Sequence, residues 1–204
     1  MNKMLLLGSS IVKRFHYIEP GWTVTNLGIE RLLTAYLSTD EYANMVLNGM
    51  IFPVNEFGGK LSFREDNEFR RTELSIQPSY HSMIFYCGNN DIKRGISVDI
   101  VIDNICLFLQ KFHEYFPHTH IFVLSILYSP KNHILQLFPQ IEYINSQLHV
   151  FVANHNNFFH FIDLKHNISD NMYYGNDSVH LNKHGYEILQ QIILNRDYSL
   201  QDSV

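Results

Sequence analysis

The chain has 204 residues, of which 46% are hydrophobic and 17% are charged, and its formal net charge is -5. This length and apolar content suffice for one well-buried core and are short for two, so the sequence predicts a single domain over residues 1–204. The acidic balance argues against nucleic acid as a partner, because phosphate binding requires Lys and Arg clustered on one face.

The N-terminal region holds one unbroken apolar run, Met4–Leu7. This run is too short for the hydrophobic region of a signal peptide or for a transmembrane span, so it is better interpreted as a buried first strand. Cys87 and Cys106 show neither metal-ligand spacing nor a disulfide pattern, which favours buried thiols in a reducing compartment. We therefore expect a cytoplasmic protein with no transmembrane segment, and the sequence leaves its oligomeric state open.

Short apolar runs alternate along the chain with longer segments of helical periodicity. The predicted strands are Met4–Leu7, Thr23–Asn26, Met83–Cys87, His120–Ile126 and Phe158–Asp163. The predicted helices are Ile29–Leu47, Val98–Tyr115, Gln140–Ala153 and Asn182–Leu194. This alternation is typical of an α/β fold in which a mostly parallel five-stranded sheet has helices on both faces.

The polar segment 48–79 is too long for a plain connection. Its mixed charges favour a solvated loop or hairpin. The alternative is an insert that forms a flap above a binding site, with Arg64, Arg70 or Arg71 contacting an anionic group of a substrate.

Four short segments, far apart in the chain, hold polar groups near predicted element ends. They are Gly8-Ser9-Ser10-Ile11, Asn26-Leu27-Gly28, Gly88-Asn89-Asn90-Asp91 and Asp177-Ser178-Val179-His180. The first three follow the first three strands, and the carboxyl ends of parallel strands meet at one edge of a sheet. The fourth precedes the final helix, so its loop can return over the same edge.

These polar groups are the ones that ester hydrolysis by a serine nucleophile requires. Such a nucleophile needs a base, an acid that orients the base, and donors aimed at the developing oxyanion. Ser10 is the candidate nucleophile and His180 the base. Asp177, three residues before His180 in a turn, can accept the Nδ1 proton and leave Nε2 for the serine. The candidate oxyanion donors are the backbone N–H groups of Ser10 and Gly28 and the side-chain amide of Asn90.

The four segments, together with Leu181-Asn182 and Gly185-Tyr186, resemble the sequence blocks of the SGNH hydrolases, also called the GDSL esterase/lipase family. The resemblance covers nearly the whole chain and implies a flavodoxin-like three-layer fold. It implies that Ser10, Asp177 and His180 form the catalytic triad. It also implies that Gly28 and Asn90 complete the oxyanion hole, with no metal or other cofactor.

The chain departs from the family pattern at three places. Ser9 stands where an Asp usually precedes the nucleophile, and Ser178 stands where a Gly often follows the catalytic Asp. Glu30-Arg31 stands where a further Gly is frequent in the second block. None of these is a triad residue, so the reacting groups remain and the substrate preference is what the departures affect.

Several candidates also have simpler structural interpretations. Ser10 occupies a position typical of a helix N-cap, and Gly28 is suited to a backbone conformation closed to other residues. An Asx-type cap is open to Asn90, although Asp91 suits that role better.

Other residues near the motifs have competing or undecided roles. Ser9 is expected to serve the turn, His184 to be structural, and Asp163 is a competing acid that lies farther from His180 in sequence. Tyr173 and Tyr174 can stack on a sugar or line an acyl pocket, or can simply pack the loop before Asp177.

The sequence thus predicts a serine ester hydrolase that acts through an acyl-enzyme. No amphipathic lid is visible, which favours short-chain, acetyl esters of a carbohydrate or another small soluble molecule. Lysophospholipid or thioester hydrolysis is the alternative within enzymes, and an acyltransferase would share every motif. A catalytically silent binding protein on the same fold is the alternative outside enzymes.

Overall fold

The computed structural model describes residues 2–16, 20–37, 80–155 and 157–201, with side chains described as far as residue 195. In chain order its strands are β1 (Asn2–Gly8), β2 (Trp22–Gly28), β3 (Ser82–Tyr86), β4 (His120–Leu124) and β5 (Phe159–Ile162). Its α-helices are α1 (Ser10–Lys13), α2 (Thr34–Leu37), α3 (Asn89–Lys93), α4 (Val98–Tyr115), α5 (Pro130–Ile134), α6 (Phe138–Ala153) and α7 (Lys183–Gln201). A single 3₁₀ turn, Asn171–Tyr173, precedes the fourth sequence motif.

The five strands form one parallel sheet in the order β2-β1-β3-β4-β5. Side chains alternate across it, so that Leu5 and Leu7 of β1 pack on one face and Met4 and Leu6 on the other. Helices α2, α4 and α6 cover the first face, and α1 and α7 cover the second. The predicted three-layer α/β architecture is confirmed.

Helix α4 shows how the sequence selects this packing. Val101, Ile105, Leu109 and Phe112 recur at spacings of three and four and are all buried against the sheet. Fully burying one such side chain contributes about 1.5–3 kcal/mol relative to leaving it exposed, so this stripe fixes the face that α4 presents.

Each predicted strand corresponds to a strand of the sheet, with ends that differ by a few residues at most. The predicted helix Ile29–Leu47 is wrong at its start, because the Ile29 N–H is donated to the Gly8 carbonyl (2.8 Å) and helix α2 begins only at Thr34. Residues 38–47 lie outside the described residues. Helix α6 begins two residues earlier than predicted, since Pro139 is accommodated in its first turn.

The short helices α1, α3 and α5 were not predicted. Each has only four or five residues, so no periodic stripe exists for the sequence to display. The segment 48–79 and its residues Arg64, Arg70 and Arg71 lie outside the described residues.

In the part of the chain that the structure describes, no helix has the length and apolar character needed to cross a membrane. Among the same residues, no group of three or more His, Cys, Asp and Glu side chains is placed to hold a metal ion. Both cysteines are free thiols, with Cys87 buried and Cys106 half-buried. Burial raises the pKa of both, to about 11 for Cys106.

Candidate active site

The first motif forms a sharp connection from β1 into α1. Gly8 ends the strand at φ 152, and a Cβ there would lie 2.0 Å from the Tyr86 carbonyl oxygen of the neighbouring strand. Ser9 follows as the N-cap residue without a capping side-chain bond, and donates its N–H to the same carbonyl at 2.9 Å. Ser10 is the first helical residue, so the glycine allows the chain to turn where the serine must be presented.

Ser10, His180 and Asp177 form a hydrogen-bonded relay across the carboxyl edge of the sheet. Ser10 Oγ lies 2.9 Å from His180 Nε2, although the two residues are 170 positions apart in sequence. His180 Nδ1 forms a close hydrogen bond with Asp177 Oδ2. The spacing of three residues places the acid on the nitrogen opposite the serine, as the motif predicts. This arrangement fixes the imidazole so that Nε2 can accept a proton from Ser10.

Asp177 is held as a carboxylate by donors from its own loop. Its Oδ1 accepts the backbone N–H groups of Val179 (3.0 Å) and His180 (2.9 Å). Partial burial opposes ionisation, but these bonds and the His180 ring outweigh it and hold the pKa of Asp177 well below its ordinary value. The Asp177 carboxylate is therefore present to accept the hydrogen bond from His180 Nδ1.

Asn182 fastens the loop that carries the acid and the base. Its amide nitrogen donates to the carbonyls of Met172 (2.7 Å) and Tyr174 (3.2 Å), and its oxygen accepts the Gly185 N–H (3.0 Å) at the start of α7. An isolated bridge between Tyr174 and Leu181 closes the loop. The chain thus uses one side chain both to cap a helix and to fix the approach to His180.

Ser178 has a left-handed backbone, with φ 57. Its carbonyl accepts the N–H of Lys131 from α5 at 2.9 Å, which anchors the loop to the neighbouring strand connection. A non-glycine residue in this region carries a steric cost of about 1–2 kcal/mol. The place where the resemblance leads one to expect glycine is thus a place where the backbone favours it.

Asn90 lies in the first turn of α3, just after the carboxyl end of β3. Its amide donates one hydrogen to the Leu32 carbonyl at 3.1 Å, which leaves the second amide hydrogen for another acceptor. The neighbouring Asp91 accepts the N–H and the hydroxyl of Thr34, both at 2.8 Å, and so ties the segment after β2 to α3. Asp91 therefore links two distant segments, whereas the sequence favoured a local Asx-type cap for it.

Gly28 ends β2, in register with Gly8, but its N–H already has a partner. It is donated to Asn26 Oδ1 at 2.8 Å. A Cβ at Gly28 would lie 2.3 Å from the Lys13 Cα, so the missing side chain allows α1 to pack closely on β2. The structure thus gives Gly28 a packing role, and an oxyanion role would require its N–H to leave Asn26.

The two tyrosines before Asp177 and the competing acid Asp163 have different surroundings. Tyr174 is buried and donates its hydroxyl to the Ile168 carbonyl (2.8 Å), so it packs the loop and does not open to a substrate. Tyr173 is partly buried with its ring 5.5 Å from that of His184, and its substrate role stays a prediction. Asp163 accepts hydrogen bonds from the Ser125 hydroxyl (3.4 Å) and from the Lys165 N–H (2.9 Å). These partners follow β4 and β5, whereas the acid that contacts His180 is Asp177.

A charged group that the sequence motifs did not identify borders the relay. Glu30 Oε1 lies 3.7 Å from His180 Nε2, and the same oxygen forms a close ion pair with Arg14 Nη2. Lys13 Nζ lies 3.7 Å from Glu30 Oε2, and Arg14 Nη1 lies 3.9 Å from Asp177 Oδ2. The only sequence signal was the departure at Glu30-Arg31, which carries no spacing rule of its own.

Solved structures share this architecture. A carbohydrate esterase family 3 protein from Talaromyces cellulolyticus matches with a TM-score of 0.65 and 15% identity, covering 100% of both chains. A member of the lipolytic G-D-S-L family from Veillonella parvula matches with a TM-score of 0.65 and 14% identity, covering 96% of this chain and 97% of that one. An acetyl esterase mutant holding an acetate ion matches with a TM-score of 0.67 and 15% identity, covering 100% of both chains.

No protein-family profile matches the chain, and neither does any curated protein sequence. The structural matches are nonetheless extensive, since they span almost every residue of both partners. The chain therefore has the fold of the GDSL, or SGNH, hydrolases, as the sequence resemblance implied.

Proposed function

We propose that the protein is a serine esterase that hydrolyses carboxylic esters through an acyl-enzyme. One observation carries the proposal: Ser10 Oγ lies 2.9 Å from Nε2 of an imidazole whose Nδ1 faces the Asp177 carboxylate. The relay lies at the carboxyl edge of a parallel sheet, where α/β folds bind their ligands.

Acylation follows from this geometry. His180 Nε2 takes the proton from Ser10 Oγ as the oxygen attacks the ester carbonyl carbon, while Asp177 stabilises the imidazolium. When the tetrahedral intermediate collapses, the bond from carbon to the alcohol oxygen breaks. The proton on Nε2 passes to that oxygen, and the free alcohol leaves.

Deacylation repeats the sequence with water. His180 Nε2 takes a proton from a water molecule as its oxygen attacks the acyl carbon, and the bond to Ser10 Oγ then breaks. The proton returns to the serine, and the carboxylic acid is released. The residues of the chain supply every proton transfer in this cycle.

The oxyanion of each intermediate needs donors that are free to turn toward it. The Ser10 N–H belongs to the first turn of a helix, where N–H groups have no partner within the helix. The second amide hydrogen of Asn90 supplies another donor. We assign the oxyanion hole to these two groups, with Gly28 joining only if its N–H leaves Asn26.

For the substrate, we infer acetyl esters of a carbohydrate or another small polyhydroxylated molecule. Structural neighbours named as carbohydrate esterases and as an acetyl esterase support this choice. A neighbour named as lipolytic supports the alternative of a longer acyl chain. Hydrolysis of acetyl, butyryl and octanoyl esters of one alcohol decides between them, because the length of the acyl chain is the only variable.

Labelling with a fluorophosphonate tests the nucleophile. We expect one modification, at Ser10, because that serine has a base in contact and donors for the phosphyl oxygen. Ser10→Ala removes both labelling and ester turnover. His180→Ala slows labelling strongly, and Asp177→Ala slows it less, because the base remains but loses its orientation.

Ser9→Ala is the matched control, since it removes the adjacent hydroxyl and leaves the relay in place. It should still be labelled at Ser10. Labelling at Ser9, or turnover by pure Ser10→Ala protein, contradicts the assignment. A folded protein with neither labelling nor turnover of any ester supports a binding function instead.

A further inference from the structure

Glu30 is placed beside the atom that must meet the leaving alcohol. Its Oε1 lies 3.7 Å from His180 Nε2. In the proposed reaction the oxygen of the departing alcohol accepts a proton from that same Nε2, so it must come within hydrogen-bond distance of it. Glu30 and the alcohol oxygen are therefore neighbours in the transition state for acylation.

The carboxylate of Glu30 has the chemistry to bind a hydroxyl group. A carboxylate only accepts hydrogen bonds, and its two oxygens offer about four acceptor positions. Arg14 Nη2 occupies one of them, and Lys13 Nζ at 3.7 Å lies beyond a normal hydrogen bond. Since 35% of the Glu30 side chain is exposed, a ligand can reach the remaining positions.

Structural stability does not account for the cluster. Ion pairs between exposed side chains usually contribute little to folding, and both Arg14 and Glu30 are substantially exposed. What the pair does achieve is to hold a flexible Glu side chain against the relay. Arg14 is thus a positioning residue, and Glu30 is presented to whatever occupies the alcohol side of the site.

We propose that Glu30 is a specificity-determining residue that accepts a hydrogen bond from a hydroxyl on the carbon next to the ester-bearing carbon. The preferred substrate is then a monoacylated vicinal diol, as occurs in partly acylated sugars and polyols. A simple alcohol lacks the donor. The inference rests on the proposed esterase function and specifies the alcohol part of the ester substrate.

Two small acetates isolate this hydrogen bond. Ethylene glycol monoacetate carries the adjacent hydroxyl, and 2-methoxyethyl acetate replaces only its hydrogen with a methyl group. Migration of the acetyl group between the two oxygens of the glycol ester regenerates the same compound. Both esters form the same acetyl-enzyme, so a difference in kcat/KM reports acylation, where the alcohol is still present.

Each kcat/KM is divided by the rate constant for hydroxide-catalysed hydrolysis of the same ester, which removes their intrinsic difference in reactivity. We expect the wild-type protein to prefer the hydroxyl ester by about tenfold, the scale of one hydrogen bond to a charged acceptor. Glu30→Ala should bring the ratio close to one. Glu30→Gln should lie between, because its amide oxygen still accepts, but without charge.

Glu114→Gln is the matched control, because it makes the same change of charge at an exposed position near the end of α4, on the opposite edge of the sheet. It should keep the wild-type ratio. Fluorophosphonate labelling and thermal unfolding show that each variant has a folded, assembled relay, and Glu30→Gln preserves the side-chain shape if Glu30→Ala unfolds.

Equal ratios in the wild-type protein, Glu30→Ala and Glu30→Gln, with ester turnover intact, overturn the role of Glu30 and leave the esterase proposal standing. The role of Glu30 is also overturned if a Glu30 variant loses the preference only because kcat and KM for 2-methoxyethyl acetate change. In that case the values for ethylene glycol monoacetate would stay at the wild-type level. Absence of turnover of both esters by the wild-type protein overturns this inference. It removes the esterase proposal as well only when labelling at Ser10 and turnover of the butyryl and octanoyl esters are also absent.

Discussion

At the scale of single residues, Asn90 is the donor whose contribution can be measured most directly. Asn90→Ala should lower kcat by about 100- to 1000-fold, because one preorganised oxyanion donor is lost. Steady-state kinetics on an acetyl ester gives the measurement, with thermal unfolding as the check on folding.

Asn154→Ala provides the control, since it removes the same amide from an exposed residue that follows α6. It should retain wild-type turnover. Normal kcat in Asn90→Ala would show that the oxyanion is stabilised elsewhere, and Gly28 released from Asn26 would become the leading donor.

Ser178 offers a stability prediction at the same scale. Ser178→Gly removes the steric cost of φ 57 but increases the entropy of the unfolded chain, so a net gain of up to about 1 kcal/mol is expected. Urea unfolding monitored by circular dichroism measures it.

Turnover by Ser178→Gly should change little, because the Ser178 carbonyl that meets the Lys131 N–H is kept. Ser146→Gly, within α6, is the contrasting variant: there a helical glycine should destabilise. A loss of stability in Ser178→Gly would mean that the loop relies on the side chain.

The sequence indicates some residues of the site and not others. The contacts among Ser10, Asp177 and His180 could be expected from the sequence, because a turn of three residues lets the acid reach the ring of His180; their catalytic roles stay a proposal. Glu30 could not be expected in this way, since it approaches His180 only when β2 pairs with β1. Gly28 is the opposite case. The sequence indicated the residue, but its close contact with the Lys13 backbone arises only in the folded chain.

Among the elements, β4, β5 and the residue before β3 bring three histidines together at the edge of the sheet opposite the relay. His120 Nδ1, at the start of β4, lies 3.0 Å from His160 Nε2 of β5, and the His81 ring is 5.9 Å from that of His120. One ring of the bonded pair must donate and the other accept, so at least one accepting nitrogen is unprotonated. Burial, with His81 close by, lowers the pKa of His120.

We expect the free energy of unfolding to fall as the pH drops below the ordinary histidine pKa of 6.5. His120 binds a proton more readily in the unfolded chain, so its contribution is present above that pH and is lost as the pH falls through its lower folded pKa. Urea unfolding between about pH 8 and about pH 5 gives the slope.

His120→Gln should flatten this dependence, because the titrating group is removed while a polar side chain remains. His166→Gln, at an exposed position after β5, should retain the wild-type slope. An unchanged slope in His120→Gln would assign the acid sensitivity to other groups.

The elements themselves differed in how far the sequence could define them. Long buried strands and α4 were predictable, since each has enough apolar residues to show a period. Helices α1 and α3 begin where a strand ends and extend for about one turn, and their geometry comes from Gly8, Gly88 and contacts with neighbouring strands. Those contacts exist only in the folded sheet.

At the scale of the whole molecule, the relay joins the two ends of the described chain. Ser10 and His180 are 170 residues apart, and they meet only when β1 and the loop before α7 are both in place. We expect fluorophosphonate labelling to be lost at the same denaturant concentration as far-ultraviolet circular dichroism and Trp22 fluorescence.

Coincident curves are expected because both core faces share one sheet, and Trp22 packs on the face that carries α1 and α7. Labelling that disappears at lower denaturant would show that the loop of Asp177 and His180 opens before the sheet unfolds. Asn182→Ala, which frees that loop, is the variant that should produce this separation.

The sheet also divides the proposed machinery between its two faces. The nucleophile helix α1 and the Asp177–His180 loop pack through the Met4 and Leu6 face, whereas α3 with Asn90 packs through the Leu5 and Leu7 face. For protein engineering, this allows the Asn90 donor to be changed separately from the nucleophile. Libraries in the core beneath α3 and α4 would adjust the position of Asn90, while α1, which carries Ser10 and its N–H, retains its alignment with His180.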